Sequence, residues 1–133
     1  MKRLKPDWRD RRIAAPGPYL ALCLDEAAFH VALAECGVKD YREFMRTAHA
    51  HATTHQLINK NGNLVCIVTL GPWAGRKPVE VAGLLIHEAV HVWQMYCERI
   101  GEHTPGAEQE AYGIQAIAQE LMQSFVEQTA CAA

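Results

Sequence analysis

The sequence lacks a long hydrophobic run. No stretch reaches the roughly 20 apolar residues of a membrane-spanning helix, because charged residues, histidine, proline or glycine interrupt each apolar segment. The basic N-terminus is also not followed by the continuous apolar run of about 7–15 residues that marks a secretion signal. We therefore predict no membrane partner and a cytoplasmic location.

Closely spaced cysteine pairs are missing too. The five cysteines have no CxxC spacing, and their number is odd: Cys23, Cys36, Cys66, Cys97 and Cys131. Most of them lie among apolar residues, where a free thiol behaves as a small hydrophobic group. We expect no disulfide framework, which is consistent with a reducing compartment.

The chain has little net charge. Its 133 residues, enough for one domain, carry a formal charge of −2, which indicates no polyanionic partner for the body of the protein. Residues 1–12 nevertheless hold six basic and two acidic groups. This basic arm, residues 1–17, could contact nucleic acid, but it has few aromatics to stack on bases. We favour an arm that folds back on the acidic surface of the domain, residues 18–133.

The first half of the chain predicts one strand and two helices. Tyr19–Leu24 is short and apolar, which is typical of a strand. Asp25 is a good N-cap for a helix that runs to about Cys36 and stops at Gly37. Asp40 would cap a second short helix over residues 41–48.

The second half predicts a hairpin and two long helices. Ala52–Ile58 and Leu64–Leu70 are strand-like runs on either side of an Asn-Gly turn signal. The second run is nearly all apolar, so we expect it to be central in the sheet. A long helix is predicted over Pro78–Ile100, and another from residues 104–105 to about 126. The order indicates an α+β domain whose small sheet and hairpin pack against the two long helices.

The long helix contains HEAVH, residues 87–91, in an otherwise apolar setting. His87 and His91 are four residues apart, so they project from one helix face and can reach the same metal ion. Glu88 lies about 100° round the helix axis, at the edge of such a site. Two buried histidines and a buried glutamate would be costly without partners, which favours zinc over an ordinary core helix.

HEAVH resembles the HExxH signature of the zincin metallopeptidases. The resemblance implies a minimal zincin-like fold, a Zn²⁺ cofactor and hydrolysis of peptide or protein substrates. It also implies that Glu88 is the catalytic general base for a zinc-activated water. The hairpin ahead of the helix stands where a zincin has its substrate-lining edge strand. The metzincin branch is rejected, because Gln94 and Cys97 stand where it needs glycine and histidine.

The sequence offers three candidates for the third zinc ligand. EQEA, residues 108–111, resembles the ExxA element of gluzincins, which implies Glu108 as the ligand beside the two histidines and Ala111 as a contact with the active-site helix. Helical periodicity favours Glu110 instead, and His103 is a third alternative. Tyr112 replaces an aspartate that orients a ligand histidine in many gluzincins, so Tyr112 or Gln115 is the candidate for that role.

A non-catalytic function is the alternative. The chain could be a zinc-binding interaction or scaffolding module, such as an accessory protein of a phage or mobile element, because it leaves little room for a second subdomain. Retention of Glu88 favours the enzyme. His49, His51 and His55 would share one face of a strand, either exposed or lining a cleft or a second metal site. Trp73 is expected to pack or to shape a substrate pocket.

Overall fold

The computed structural model describes residues 5–9, 17–40 and 42–130. Its sheet has the strand order β1-β2-β4-β3, in which β2 and β4 are parallel and the other neighbours are antiparallel. The predicted α+β class is confirmed. The elements are β1 (Asp7–Arg9), β2 (Tyr19–Cys23), α1 (Glu26–Glu35), β3 (Ala52–Ile58), β4 (Leu64–Leu70), α2 (Pro78–Ile100) and α3 (Ala107–Ala130).

Strand β4 is the centre of the core. All seven of its residues are buried, as the apolar run predicted. Leu64, Cys66 and Val68 belong to the cluster formed with α2 and α3, whereas Val65 and Ile67 belong to the cluster formed with α1. Side chains alternate across a strand, so helices on both faces of the sheet explain why this strand has no polar face.

Most helices and strands begin and end where the turn and capping residues of the sequence predicted. Both hairpin strands and α2 have the predicted bounds. Asp25 caps α1 by accepting a hydrogen bond from the backbone N–H of Ala28 at 2.7 Å. Gly101 ends α2 with φ +73°, a left-handed conformation that glycine adopts without a steric penalty. Helix α3 begins slightly later than predicted and continues to Ala130.

The predicted second short helix is wrong. Residues 42–50 form bends and a turn, and Tyr41 lies outside the described residues. The backbone is held by side chains of the sheet instead of by helical hydrogen bonds. Thr69 Oγ1 donates to the carbonyl of Phe44 at 2.6 Å, and the N–H of Arg46 donates to Thr53 Oγ1 at 3.0 Å. Such side-chain contacts compete with helix formation.

Strand β1 was not predicted, and it ties part of the basic arm to the domain. It pairs with β2, and Arg9 lies within 3.0 Å of Glu120 and 2.8 Å of Glu127 on α3. Ser124 donates a hydrogen bond to Asp7. The described part of the arm therefore lies on acidic groups of the domain itself. Residues 1–4 and 10–16 lie outside the described residues.

The four described cysteines are free and buried, as expected, and Cys131 lies outside the described residues. Burial raises the pKa of the Cys23 and Cys66 thiols to about 12, so both are protonated at neutral pH. Within the described ranges, no helix combines the length and the apolar character needed to cross a membrane.

Helices α2 and α3 meet closely at Gly113. A Cβ on this glycine would lie 2.3 Å from Cζ3 of Trp93, a side chain that is only 4% exposed. Ala111, which was expected to contact the active-site helix, is exposed. The buried residues of α3 begin at Gly113 and include Ile117 and Leu121, so the packing against the core starts beyond Ala111.

We expect Gly113→Ala to destabilise the fold, although alanine is the better helix former by about 1 kcal/mol. The added methyl group overlaps the buried indole, and overpacking of this kind typically costs about 1–3 kcal/mol. Gly83→Ala in α2 is the matched control, since a Cβ there meets no atom within 4 Å. Urea unfolding followed by circular dichroism should give opposite signs for the two variants. Equal stabilisation would contradict the packing at Gly113.

Candidate metal centre

His87 and His91 lie one turn apart on α2, with their Nε2 atoms 3.2 Å apart. Two imidazole nitrogens that bind one tetrahedral zinc at about 2.0–2.1 Å are separated by roughly 3.3–3.4 Å. His87 is exposed and His91 is partly exposed. The expectation that both are buried is wrong, because this side of α2 faces a cleft and not the core.

Gln94 orients His91. The Nδ1 atom of His91 lies 3.1 Å from the side-chain oxygen of Gln94, three residues along the helix. In the tautomer with the proton on Nδ1, His91 donates to this oxygen, and the lone pair of its Nε2 lies on the side facing His87. Tyr112 and Gln115, the candidates from the sequence, are exposed. The i,i+3 spacing of His91 and Gln94 was the available signal.

Glu88 is the buried member of the motif, with 6% of its surface exposed. Its carboxylate accepts a hydrogen bond from Thr54 Oγ1 on β3, at 2.6 Å to Oε2. The same hydroxyl lies 3.3 Å from the backbone oxygen of Glu88. Sequence reasoning missed Thr54, because its contact with Glu88 joins residues 34 positions apart.

A cleft of about 250 Å³ contains the three motif residues. Ala52, Thr53 and Thr54 form its strand side, and Met95 adjoins the motif on the helix side. Arg46 and Ala50, from the segment before β3, close the third side. The motif residues of α2 therefore face β3, which is an end strand of the described sheet.

The candidates for the third ligand are not assembled with the histidine pair. Glu108 and His103 are exposed, and Glu110 Oε2 accepts a hydrogen bond from the indole N–H of Trp93 at 3.1 Å. In residues 5–9, 17–40 and 42–130, no three His, Cys, Asp or Glu side chains are grouped so as to hold a metal ion. The two histidines fit zinc in the spacing of their Nε2 atoms, and a third donor would have to approach them from elsewhere in the chain.

The other histidines do not form a shared face. His49 and His51 precede β3, and His51 Nδ1 accepts a hydrogen bond from Arg76 at 2.9 Å. His55 is on β3, but its ring lies 4.4 Å from that of Phe29, so the exposed-face interpretation is wrong for it. Burial lowers the pKa of His55, and a hydrogen bond with the Phe44 carbonyl opposes this shift.

The tryptophans pack instead of lining the cleft. The Trp73 ring makes an edge contact with Phe125 at a centroid distance of 5.5 Å, which agrees with the packing interpretation. Trp93 and Tyr96 belong to the core cluster. Met95 lies between the core and the cleft, so it contributes to both.

Comparison of the chain with protein-family models, with curated proteins and with solved structures found no match.

Proposed function

We infer that the protein is a zinc-dependent metallopeptidase of the zincin type, in which His87, His91 and Glu108 would hold the metal. The observation that supports this best is the histidine pair, 3.2 Å apart at Nε2, in one cleft with a buried glutamate. The buried thiols favour a reducing compartment, so we expect the enzyme in the cytoplasm.

Zinc, when bound, acts as a Lewis acid that activates water and polarises a peptide carbonyl. Thr54 donates to Oε2 of Glu88, and the carboxylate keeps further lone pairs that can take a proton from the attacking water. The water oxygen forms a bond to the carbonyl carbon, and the carbon–nitrogen bond then breaks. Glu88 returns its proton to the leaving amine, so the products are a carboxylic acid and an amine.

The position of β3 suits an extended peptide. It is an end strand of the described sheet, and its residues Thr53 and Thr54 line the cleft beside the motif. An extended chain can pair with an unpaired strand edge through main-chain hydrogen bonds. A peptide aligned in this way would pass close to Glu88.

Wild-type protein should contain about one zinc per chain and cleave members of a peptide library. A chelator should abolish cleavage, and added zinc should restore it. Metal analysis and mass spectrometry of the products are the measurements. Folded protein that takes up no zinc under reconstitution would reject the proposal.

Thr54→Val should lower kcat about tenfold while KM changes little. The hydroxyl positions the Glu88 carboxylate, and a hydrogen bond to a charged group is worth about 1.5–3 kcal/mol. Thr54→Ser keeps the donor and should restore most of the rate. Steady-state kinetics would oppose this role for Thr54 if valine and serine had the same effect.

The non-catalytic zinc module is the second candidate. It is favoured by the small size of the fold, because the described residues form one four-stranded sheet with three helices and no second subdomain that would wall a peptide cleft. Zinc uptake without cleavage of any library peptide would support it over the peptidase.

A further inference from the structure

A second groove, of about 490 Å³, adjoins the cleft of the HEAVH motif. Four residues line both cavities: Arg46, Thr53, Thr54 and Met95. The groove then continues past His55 to Gln56 on the same strand. A peptide that leaves the cleft along β3 would therefore enter this groove.

The groove carries two arginines and one carboxylate: Arg42, Arg46 and Glu43. Only seven basic residues follow residue 12, against thirteen acidic ones, so two arginines here are a local concentration of positive charge. Arg42 donates a hydrogen bond to the backbone oxygen of Gln56 at 3.2 Å, which holds its guanidinium against the strand.

Arg46 has a side chain that is available to a ligand. Its backbone N–H is bonded to Thr53, but in the described ranges its guanidinium makes no hydrogen bond or ion pair. The residue is exposed and lines the groove and the motif cleft together. A free guanidinium at the junction of two cavities suits a planar anion, which it can bind through two parallel hydrogen bonds.

We propose that this groove is a subsite that selects peptides carrying a carboxylate a few residues from the bond that is cut, with Arg46 as the principal contact and Arg42 in support. The proposal rests on the proposed function and names its substrate class. A side-chain carboxylate and a free C-terminus offer the same chemistry. They differ in whether the peptide continues through the groove, which experiment can separate.

The binding test uses the zinc-reconstituted Glu88→Gln variant and fluorescein-labelled octapeptides, so that cleavage does not interfere. One peptide has internal Asp and Glu with an amidated C-terminus, a second has Asn and Gln with the same amide, and a third is the second with a free C-terminus. Fluorescence polarisation at low salt gives Kd for each. Arg46→Gln is compared with Lys60→Gln, which removes an exposed positive charge from the hairpin turn instead.

We expect a carboxylate-bearing peptide to bind at least about tenfold more tightly than the neutral amide, and Arg46→Gln to remove most of the preference. Lys60→Gln should keep it. Tight binding of the first peptide would identify a side-chain carboxylate, and tight binding of the third alone would identify the C-terminus. Equal Kd values for all three peptides, or equal losses in the two variants, would overturn the proposal.

The cleavage assay separates this subsite from the proposed function. With zinc-loaded wild-type enzyme, the preference should appear in kcat/KM and mostly in KM. A uniform fall in kcat for all peptides on Arg46→Gln would overturn the subsite and assign Arg46 to the reaction itself. Carboxylate-selective binding without any hydrolysis would keep the subsite and reject the peptidase. Hydrolysis without selectivity for a carboxylate would keep the peptidase and reject the subsite.

Discussion

Glu88→Gln should abolish most peptide hydrolysis while zinc binding and fold are retained. Loss of a general base typically lowers kcat by about 10²–10⁴-fold. Glutamine has the same shape as glutamate, and its side-chain oxygen can still accept the hydrogen bond from Thr54. The rate should fall because the amide cannot take the proton from water. Activity against the best library peptide is the measurement.

Glu98→Gln is the matched control for this experiment. Glu98 is an exposed glutamate on the same helix, and it does not line the motif cleft. Its substitution should leave kcat within about twofold, as expected for a surface change remote from the reacting groups. Full activity in Glu88→Gln, with zinc at one per chain, would exclude Glu88 as the base.

We expect Glu108→Ala to lower the zinc content and Glu110→Ala to lower the stability of the fold. If Glu108 is the third ligand, its removal should lower the zinc content from about one per chain to near zero, with little effect on the metal-free fold. Glu110→Ala should keep the metal. It should lower the free energy of unfolding by about 1–3 kcal/mol, because the buried indole N–H of Trp93 loses its acceptor.

Each glutamate variant is the control for the other, since they are two residues apart in the first turn of α3. Metal analysis and urea unfolding of the metal-free proteins give the two measurements. Loss of zinc in Glu110→Ala alone would assign the ligand to Glu110, and would require its hydrogen bond with Trp93 to break on metal binding. Retention of zinc in both variants would exclude this helix turn as the source of the ligand.

The features that the sequence predicted correctly depend on neighbouring residues. The hairpin, α2 and the Asp25 cap follow from alternation, helical spacing and turn residues, which act within a few positions. The pairing of His87 with His91 is of the same kind, because the i,i+4 geometry of a helix brings the rings together without help from the rest of the chain.

Only the tertiary structure decided the features that join distant parts of the chain. It paired β1 with β2, replaced a predicted helix by hydrogen bonds to Thr53 and Thr69, and placed Thr54 against Glu88. It also placed Gly113 of α3 against the ring of Trp93. Each of these features depends on how the helices pack on the sheet. A local pattern of side chains does not identify the distant residues that it will contact.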